Sequence, residues 1–471
     1  MKIALMHYHL KPGGVTTVIG QQVAALRRSC DVLVLTGEAP VGDLEADYAL
    51  LPALAYDTVR KTDLNPLRVA GQIQDAIRTR WPGGCDLLHV HNPLLAKNRS
   101  LLEILRHLQA DGLKLFLQIH DLAEDGRPNA FFDDPYPADC HYGVINSRDY
   151  AILLQAGLLK RGLHLLPNSV TPPAGPPSRQ PRQPHGGVLY PIRAIRRKNV
   201  GEAILLSLFA RPPTQLTVTL PPNSPADMQS YTDWKDHVRQ NGLHVRFEAG
   251  LVDDYSRLVA EADYIITTSI SEGFGFVFLE PWTASKPLWG RLLPAVCGDF
   301  MRQGIHLDHL YHRLAVPLSL FDHPAFQRQW CRAYSKAAAC YGKTLPWSQI
   351  ESRYSRIVAD DSVDFGLLAE PFQREVIRAV QSDDHHRARM IDRNPHLDDF
   401  AGVTASRRCV MHNRRLVLAH YNQDAYRRRL LEIYSRVVNT PVHQKIDKPQ
   451  VLDAFLTPEQ FSLLKWSPYH G

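Results

Sequence analysis

The 471-residue sequence predicts an α/β protein built as two domains, each a parallel sheet covered by helices. Three observations carry that reading. Short apolar runs alternate with longer amphipathic ones, the pattern of buried strands joined by crossover helices. The alternation stops at a proline-rich stretch and then restarts. Polar clusters follow directly after several of the apolar runs, at the carboxyl ends of strands where open α/β sheets bind ligands.

In chain order, "KIALMHYH", "CDVLVLTG", "DLLHVHNP", "LKLFLQIHD", "HYGVINS" and "LHLLPNS" read as strands of a first domain, residues 1–168. "TVIGQQVAALRR" and "RSLLEILRHLQAD" read as helices between them. The break "SVTPPAGPPSRQPRQPHGG", 169–187, holds six prolines and no periodicity, as an exposed, semi-stiff linker does. "GGVLYPIRA", "TQLTVTLPP", "HVRFEAG" and "ADYIITTS" then open a second domain, 188–445, so that two α/β domains are expected to face a cleft. Beyond residue 300 the pattern turns mostly helical, with candidates at Ala325–Ala339, Leu367–Val380 and Asp424–Val438. Residues 446–471, with "LDAFLTPEQFSLLKW", read as a terminal helical tail.

Composition narrows the function classes. Seven cysteines are scattered, odd in number and never in a C-x-x-C pair, which favours a reducing compartment, taken as the cytoplasm. No apolar run approaches the roughly 18 to 20 residues of a membrane span, and "MKIALMHYHL" meets histidine too early for a signal peptide. The net charge of +6 comes from the second half, because residues 1–170 carry 17 Lys plus Arg against 18 Asp plus Glu. "RAIRRK" and "RRRL" are too local for a nucleic-acid surface. A small molecule bearing phosphate fits such clusters better.

The motifs sharpen this. Gly13 and Gly14 lie between the first strand and first helix, either as a tight turn or as a gap through which phosphate reaches backbone N–H groups. Glu38 follows the second strand, yet the dinucleotide pattern G-x-G-x-x-G is not matched. In "LYPIRAIRRKN", Arg193 and Lys198 follow a strand, and a planar fork beside a point charge suits a diphosphate. Arg196 and Arg197 read as a solvated basic turn. "SEGFGFVFLEP" sets Glu272 and Glu280 around a loop, Gly273, Phe274 and Gly275, whose N–H groups can receive a polar edge. Glu280 is expected two helical turns below that loop, and carboxylates accept well from vicinal hydroxyls. His120 and Asp121, and Asn146 and Ser147, also end strands. "HVH" at His89–His91 and "DDHH" at Asp383–His386 lack a third ligand at recognisable spacing, so no metal is expected.

Together these residues resemble the retaining glycosyltransferases of family 4, with the GT-B fold of two Rossmann-like domains. Matches run along about 300 residues: "PGGV", "DLLHVHNP", "IHD", "INS", "LLPNSV", "IRAIRRKN" and "SEGFGFVFLEP". The resemblance implies transfer of a hexose from UDP-hexose or GDP-hexose to an acceptor hydroxyl, with retention and without a metal or cofactor. It implies Arg193 and Lys198 on the diphosphate, Gly13 and Gly14 near it, Glu280 on the ribose, Glu272 and Gly273–Gly275 on the donor sugar, and His120 near the transferred sugar. Glu272, His120, Arg193 and Lys198 are thus the expected catalytic set, with His91, Asn92, Asp121 and Asn146 on the acceptor side. The expected acceptor is small and soluble, a sugar, sugar phosphate or polyol acid, because the near-neutral first half has no basic amphipathic stretch to meet an anionic membrane.

Two departures stand out. "PIR" replaces the family's common "VGR", and "PWTASKPLWGRLLPAVCGDFM" replaces its usual small-residue segment, with 191 residues following Glu280. A helical C-terminal elaboration is therefore expected. A sugar phosphorylase, a nucleotide-sugar epimerase, or a non-catalytic nucleotide-sugar binding protein are the alternatives, and the oligomeric state is open.

Overall fold

In the computed structural model, which describes residues 1–42, 44–59, 65–172, 187–210, 214–398 and 406–469, the chain forms two units. One is Met1–Thr171 with Ala419–Phe455, the other Pro172–Leu418 with Leu456–Gly471.

The first unit is a seven-stranded parallel sheet of β1 (Lys2–His7), β2 (Asp31–Thr36), β3 (Asp47–Leu50), β4 (Leu87–His91), β5 (Leu115–Ile119), β6 (His141–Val144) and β7 (Leu163–Leu165), in the order β3-β2-β1-β4-β5-β6-β7. β4 and β5 are buried along their whole length, which is why they read as unbroken apolar runs in a doubly covered sheet. β3 escaped the sequence reading because "DYAL" is an exposed edge strand without an apolar run.

One helix of this unit comes from far along the chain. Gln423–Asn439 carries Tyr426, Leu430, Ile433, Tyr434 and Val437 at helical spacing, and they pack with Ile3, Leu5, Val34 and Phe116 in one core. Lys448–Phe455 joins the unit as well, through Val451 and Phe455. Residues 419–455 therefore group with the first unit, whereas the sequence reading put 188–445 in the second domain. The physical reason is that burial of an apolar stripe is indifferent to chain order. Of the expected linker 169–187, Ser169 and Val170 are buried, and 173–186 lie outside the described residues.

The second unit holds a five-stranded parallel sheet of β8 (Gly187–Arg193), β9 (Gln215–Leu220), β10 (Val245–Arg246), β11 (Tyr264–Thr267) and β12 (Leu288–Gly290), ordered β10-β9-β8-β11-β12. β12 lies in the unusual segment after Glu280 and was missed because it is only three residues long. Gly290 has φ +125°, and a Cβ there would stand 2.0 Å from the Thr267 carbonyl oxygen, so β12 closes on β11 only with glycine. A short antiparallel pair follows, β13 (Ala315–Pro317) with β14 (Ser362–Asp364), and helices His323–Cys340 and Glu370–Ser382 form the helical elaboration.

The expected tail 446–471 is not one helix. After Lys448–Phe455 the chain makes a 3-10 turn at Pro458–Gln460 and a short helix at Leu463–Trp466, which belong to the second unit. Phe461 packs 5.4 Å from Trp330 and 4.7 Å from Tyr334, and the Trp330 indole donates to its carbonyl at 3.1 Å. Pro458 cannot continue a helix, and the aromatic pocket rewards the break. No helix of the described residues is long and apolar enough to cross a membrane.

Both sheets reverse strand order beside their first strand, between β1 and β4 and between β8 and β11. At such a switch point neighbouring loops diverge to opposite faces and leave a crevice at the carboxyl ends.

Candidate functional site

In the second unit, β8 ends at Arg193 after a register shift between Tyr190 and Arg193, and the chain turns through the 3-10 helix Arg196–Lys198. Asn199 sits at φ +53°, a left-handed position that asparagine tolerates better than most residues. The turn is pinned to β11. The Tyr190 hydroxyl donates to the Lys198 carbonyl at 2.5 Å, and the Thr268 hydroxyl donates to the Asn199 carbonyl at 2.9 Å. Ile270 N–H donates to the Arg197 carbonyl at 3.0 Å, tying "IRAIRRKN" to the loop that contains "SEGFG".

The Lys198 ammonium consequently meets the Glu272 carboxylate, while Arg197 donates to the Ser271 carbonyl at 2.8 Å and stands 3.7 Å from Glu272. Side-chain exposure is 15% for Lys198 and 10% for Glu272, so the pair is mostly desolvated. Burial alone would raise the Glu272 carboxyl, but Lys198 and Arg197 more than reverse it and hold it below the usual range. Burial lowers Lys198, with Glu272 opposing. Arg193 is different. Among the described residues its guanidinium has a single hydrogen bond, to the Pro221 carbonyl at 3.3 Å, which leaves most of its donors available.

The glycine loop is shaped by sterics. Gly275 has φ +87°, and a Cβ there would stand 2.6 Å from Val296 Cγ1 and 2.9 Å from Phe278 Cδ2. Phe274 turns inward, 5.7 Å from Phe300, and Gly273 lies between it and Glu272. Glu280 does not lie two helical turns below the loop. A single 3-10 turn, Phe276–Phe278, precedes it, and Glu280 opens the short helix Glu280–Thr283. Its carboxylate keeps solvent-accessible surface and has no hydrogen bond or ion pair among the described residues. Protein crowds it enough that desolvation raises its pKa, with Lys198 pulling the other way. Its charge in turn adds to the burial that lifts Tyr255 to about 12.

Arg196 corrects the sequence reading. It is not a solvated turn residue but makes a two-pronged ion pair with Glu370, at 2.5 and 2.8 Å, with 8% of its side chain exposed. Asn199 is held similarly, donating to Glu202 at 2.7 Å and accepting from Gln373 at 2.8 Å. Glu202 shares the fully buried Arg291 with Asp364, at 2.6 to 2.8 Å. The phosphate-sized turn thus rests on buried charge pairs.

In the first unit the candidate residues separate into exposed and buried sets. Gly13 and Gly14 are exposed at the start of helix Gly14–Leu26; a Cβ on Gly14 would meet open space and one on Gly13 only the Lys11 carbonyl oxygen at 3.8 Å. His91 is fully buried, and Asn92 and Asn146 nearly so. Asn146 caps the helix Ser147–Gln155, accepting from Asp149 N–H at 2.8 Å and donating to its carboxylate at 2.9 Å. Asn92, at φ +53°, accepts from the N–H groups of His120 and Asp121 at 2.8 and 3.0 Å. These side chains shape the turns, and Asp121 pairs with Arg127 at 2.6 Å.

His120 is the partly open end of a histidine ladder. His120 Nε2 and His91 Nδ1 are 3.0 Å apart; His91 stacks on His89 at 4.4 Å; His89 contacts the Tyr434 hydroxyl at 2.8 Å and Gln118 at 2.9 Å. Burial holds His120 near 4 and His7 and His89 near 3, so the rings are neutral at pH 7. His91 Nε2 is enclosed without a partner. A buried lone pair there costs less than a buried orphan N–H, which puts the His91 proton on Nδ1, donating to His120 Nε2. His120 then carries its own proton on Nδ1, as a donor.

Sequence reasoning missed Lys97 and Arg127, which lie in loops after β4 and β5. Their only signal was position beyond a strand end. Among the described residues no group of three or more His, Cys, Asp or Glu side chains is placed to hold a metal ion, and Asp383 of "DDHH" caps a helix.

No protein-family model matches the chain. It is similar to the mannosylglucosyl-3-phosphoglycerate synthase of Petrotoga mobilis, 25% identical over 356 residues that cover 67% of this chain and 69% of the relative. Among solved structures, Anabaena HepE in complex with UDP and glucose superposes with a TM-score of 0.53 at 12% identity, over 92% of this chain and 99% of that one. Sucrose-phosphate synthase from Thermosynechococcus elongatus gives 0.53 at 14% identity, over 92% and 98%. The fold expected from the sequence, GT-B with two parallel α/β sheets and a helical C-terminal part, is the fold found.

Proposed function

We propose that the protein is a glycosyltransferase that moves a hexosyl group from UDP-hexose or GDP-hexose to a hydroxyl of a small soluble acceptor, with retention at the anomeric carbon. The observation that carries the reading is the Lys198–Glu272 pair, which joins the segments that follow β8 and β11 and also hold Arg193 and Glu280, beside the second unit's switch point. Arg193 and Lys198 suit a diphosphate, and the Glu280 carboxylate, unpaired among the described residues and open to solvent, suits the vicinal hydroxyls of ribose. The UDP and glucose held by HepE support a nucleotide-sugar donor, and the phosphoglycerate in the Petrotoga synthase's name supports a small acidic acceptor.

Arg193 and Lys198 neutralise the departing diphosphate, so the reaction needs no metal or other cofactor. Gly273–Gly275 offers backbone N–H groups to the donor sugar, Gly13 and Gly14 a second set at a helix start. As the bond from the anomeric carbon to the phosphate oxygen breaks, the acceptor oxygen attaches on the same face and its proton passes to that phosphate oxygen. Glu272 is ionised and engaged with Lys198, so it orients the sugar and is not a proton donor. His120, uncharged, hydrogen-bonds a sugar hydroxyl. The seven free cysteines favour a reducing compartment, the cytoplasm.

The test is a thermal-shift panel of nucleotide sugars, followed by product mass and anomeric configuration with the best donor. Retention in a glycosylated acceptor is expected, and an inverted product would refute the mechanism. A requirement for orthophosphate, or donor conversion without acceptor, would replace it with a phosphorylase or epimerase; tight donor binding without turnover would make the chain a binding protein.

A further inference from the structure

Lys97 sits in the loop after β4, and among the described residues its side chain has no hydrogen bond or ion pair. The side chain is exposed to solvent and lies beside an aromatic ring. Its ammonium lies 5.8 Å from the centre of the Tyr56 ring, and its backbone is fixed on both sides: Asp57 N–H donates to the Lys97 carbonyl at 2.8 Å, and Ala96 N–H to the Ala130 carbonyl at 2.7 Å. That second bond ties the Lys97 loop to the loop of Arg127. Arg127 pairs with Asp121 at 2.6 Å, and the other oxygen of Asp121 accepts from Asn92 at 3.3 Å.

The consequence is an ion-paired arginine and a lysine without an ion pair among the described residues, on two loops that are tied together. Partial burial lowers Lys97, and Arg127 lowers it further, while Asp121 only partly offsets them. Arg127 also acts on the Tyr56 phenol, whose ring lies 4.9 Å from His9. Lys97 and Arg127 therefore lie in two tied loops at the carboxyl end of the first sheet, the loops that also carry Asn92 and His120, and the Tyr56 ring, from the segment after β3, stands beside Lys97. A lysine kept near a second cation, without a counter-ion of its own, is stabilised by a bound anion.

We propose that Lys97 and Arg127, beside the Tyr56 ring, hold the anionic group of the acceptor, a phosphate monoester or a carboxylate. This rests on the reading that the first unit of a glycosyltransferase receives the acceptor. It adds what that reading lacks, a reason for an acidic acceptor in this chain's own residues. Arg127 supplies the planar fork and Lys97 the point charge, and a free hydroxyl of the same molecule is left to accept the sugar.

The test measures binding to the full chain by calorimetry, for wild type, Lys97→Ala, Lys97→Arg and Arg127→Lys. The probes are 3-phosphoglycerate, D-glycerate, glucose 6-phosphate, UDP and GDP. At least one of the three acidic probes is expected to bind the wild type, with affinity about tenfold or more weaker in Lys97→Ala, as for loss of one charge-assisted contact, and recovered in Lys97→Arg. Binding of glucose 6-phosphate assigns the site to phosphate, and binding of D-glycerate assigns it to carboxylate. Affinity for UDP and GDP is expected to be the same in all four proteins. Equal binding of the acidic probes by wild type and Lys97→Ala, or no binding of any of them, would overturn the proposal. The nucleotide arm reads the second unit separately. Failure of both UDP and GDP to bind the wild type would sink the transferase reading, and the acidic probes would still decide this one.

Discussion

The two units hold the polar groups around their candidate residues in different ways. The first uses uncharged rings: His7, His89, His91 and His120 are buried and neutral, joined to Gln118 and Tyr434 by hydrogen bonds. The second uses charge pairs, Arg291 with Glu202 and Asp364, Arg196 with Glu370, and Lys198 with Glu272. The charge pairs fix the turn after β8 through partnered groups, whereas the neutral rings set donors and acceptors at strand ends with no charge to desolvate.

The strongest way to break the charged arrangement is Arg291→Met. It strands two buried carboxylates and is expected to cost the second unit about 3–5 kcal/mol, the penalty typical of half-removed buried pairs. Denaturant unfolding followed by a probe in each unit should show that transition move while the first unit's stays.

Acid should act on the other unit first. A histidine whose folded pKa is near 3 or 4 against about 6.5 unfolded binds protons preferentially when unfolded. Its contribution is whole above pH 6.5 and falls by up to about 1.4 kcal/mol per pH unit below that. The pair of Lys198 with Glu272 behaves differently, since the lowered Glu272 keeps its contribution until pH drops below the ordinary carboxylate range. Between pH 6.5 and 5 the first unit is therefore expected to lose stability more steeply, and His89→Gln to flatten that slope. Equal slopes in both units would show that the ladder does not stay neutral.

The smallest expected effect on the fold belongs to Glu280→Gln. Because desolvation raises this carboxyl in the folded chain, its ionised form is disfavoured there, and the substitution should leave the melting temperature at pH 7 unchanged or slightly higher. The Michaelis constant for the nucleotide sugar should rise about tenfold, as for one lost charge-assisted hydrogen bond. Unchanged donor use would remove Glu280 from the ribose.

Much of this was legible in the sequence because the informative residues are local. Buried strands announce themselves as apolar runs, and the proposed donor residues Lys198 and Glu272 stand five residues past the ends of β8 and β11. What was not legible depends on distant partners. Arg196 looks like a solvated arginine until Glu370 is beside it, and Asn92 and Asn146 look like ligands until the N–H groups they accept from are placed. The return of Gln423–Asn439 to the first unit has no marker in chain order, since its apolar stripe fits any sheet face of matching shape. The loops of Lys97 and Arg127 meet only after the Ala96 and Ala130 backbone ties them.

The loops after β8 and β11 are proposed to hold a nucleoside diphosphate, and Arg193 is the side chain to remove because it is not part of a buried ion pair. UDP and GDP binding to wild type and Arg193→Ala, measured by calorimetry beside the melting temperature of each, is the decisive experiment. Whichever nucleotide the wild type prefers is expected to bind the variant about tenfold to a hundredfold more weakly, with the melting temperature unchanged. Equal affinity in the two proteins, or no binding of either nucleotide to the wild type, would contradict it.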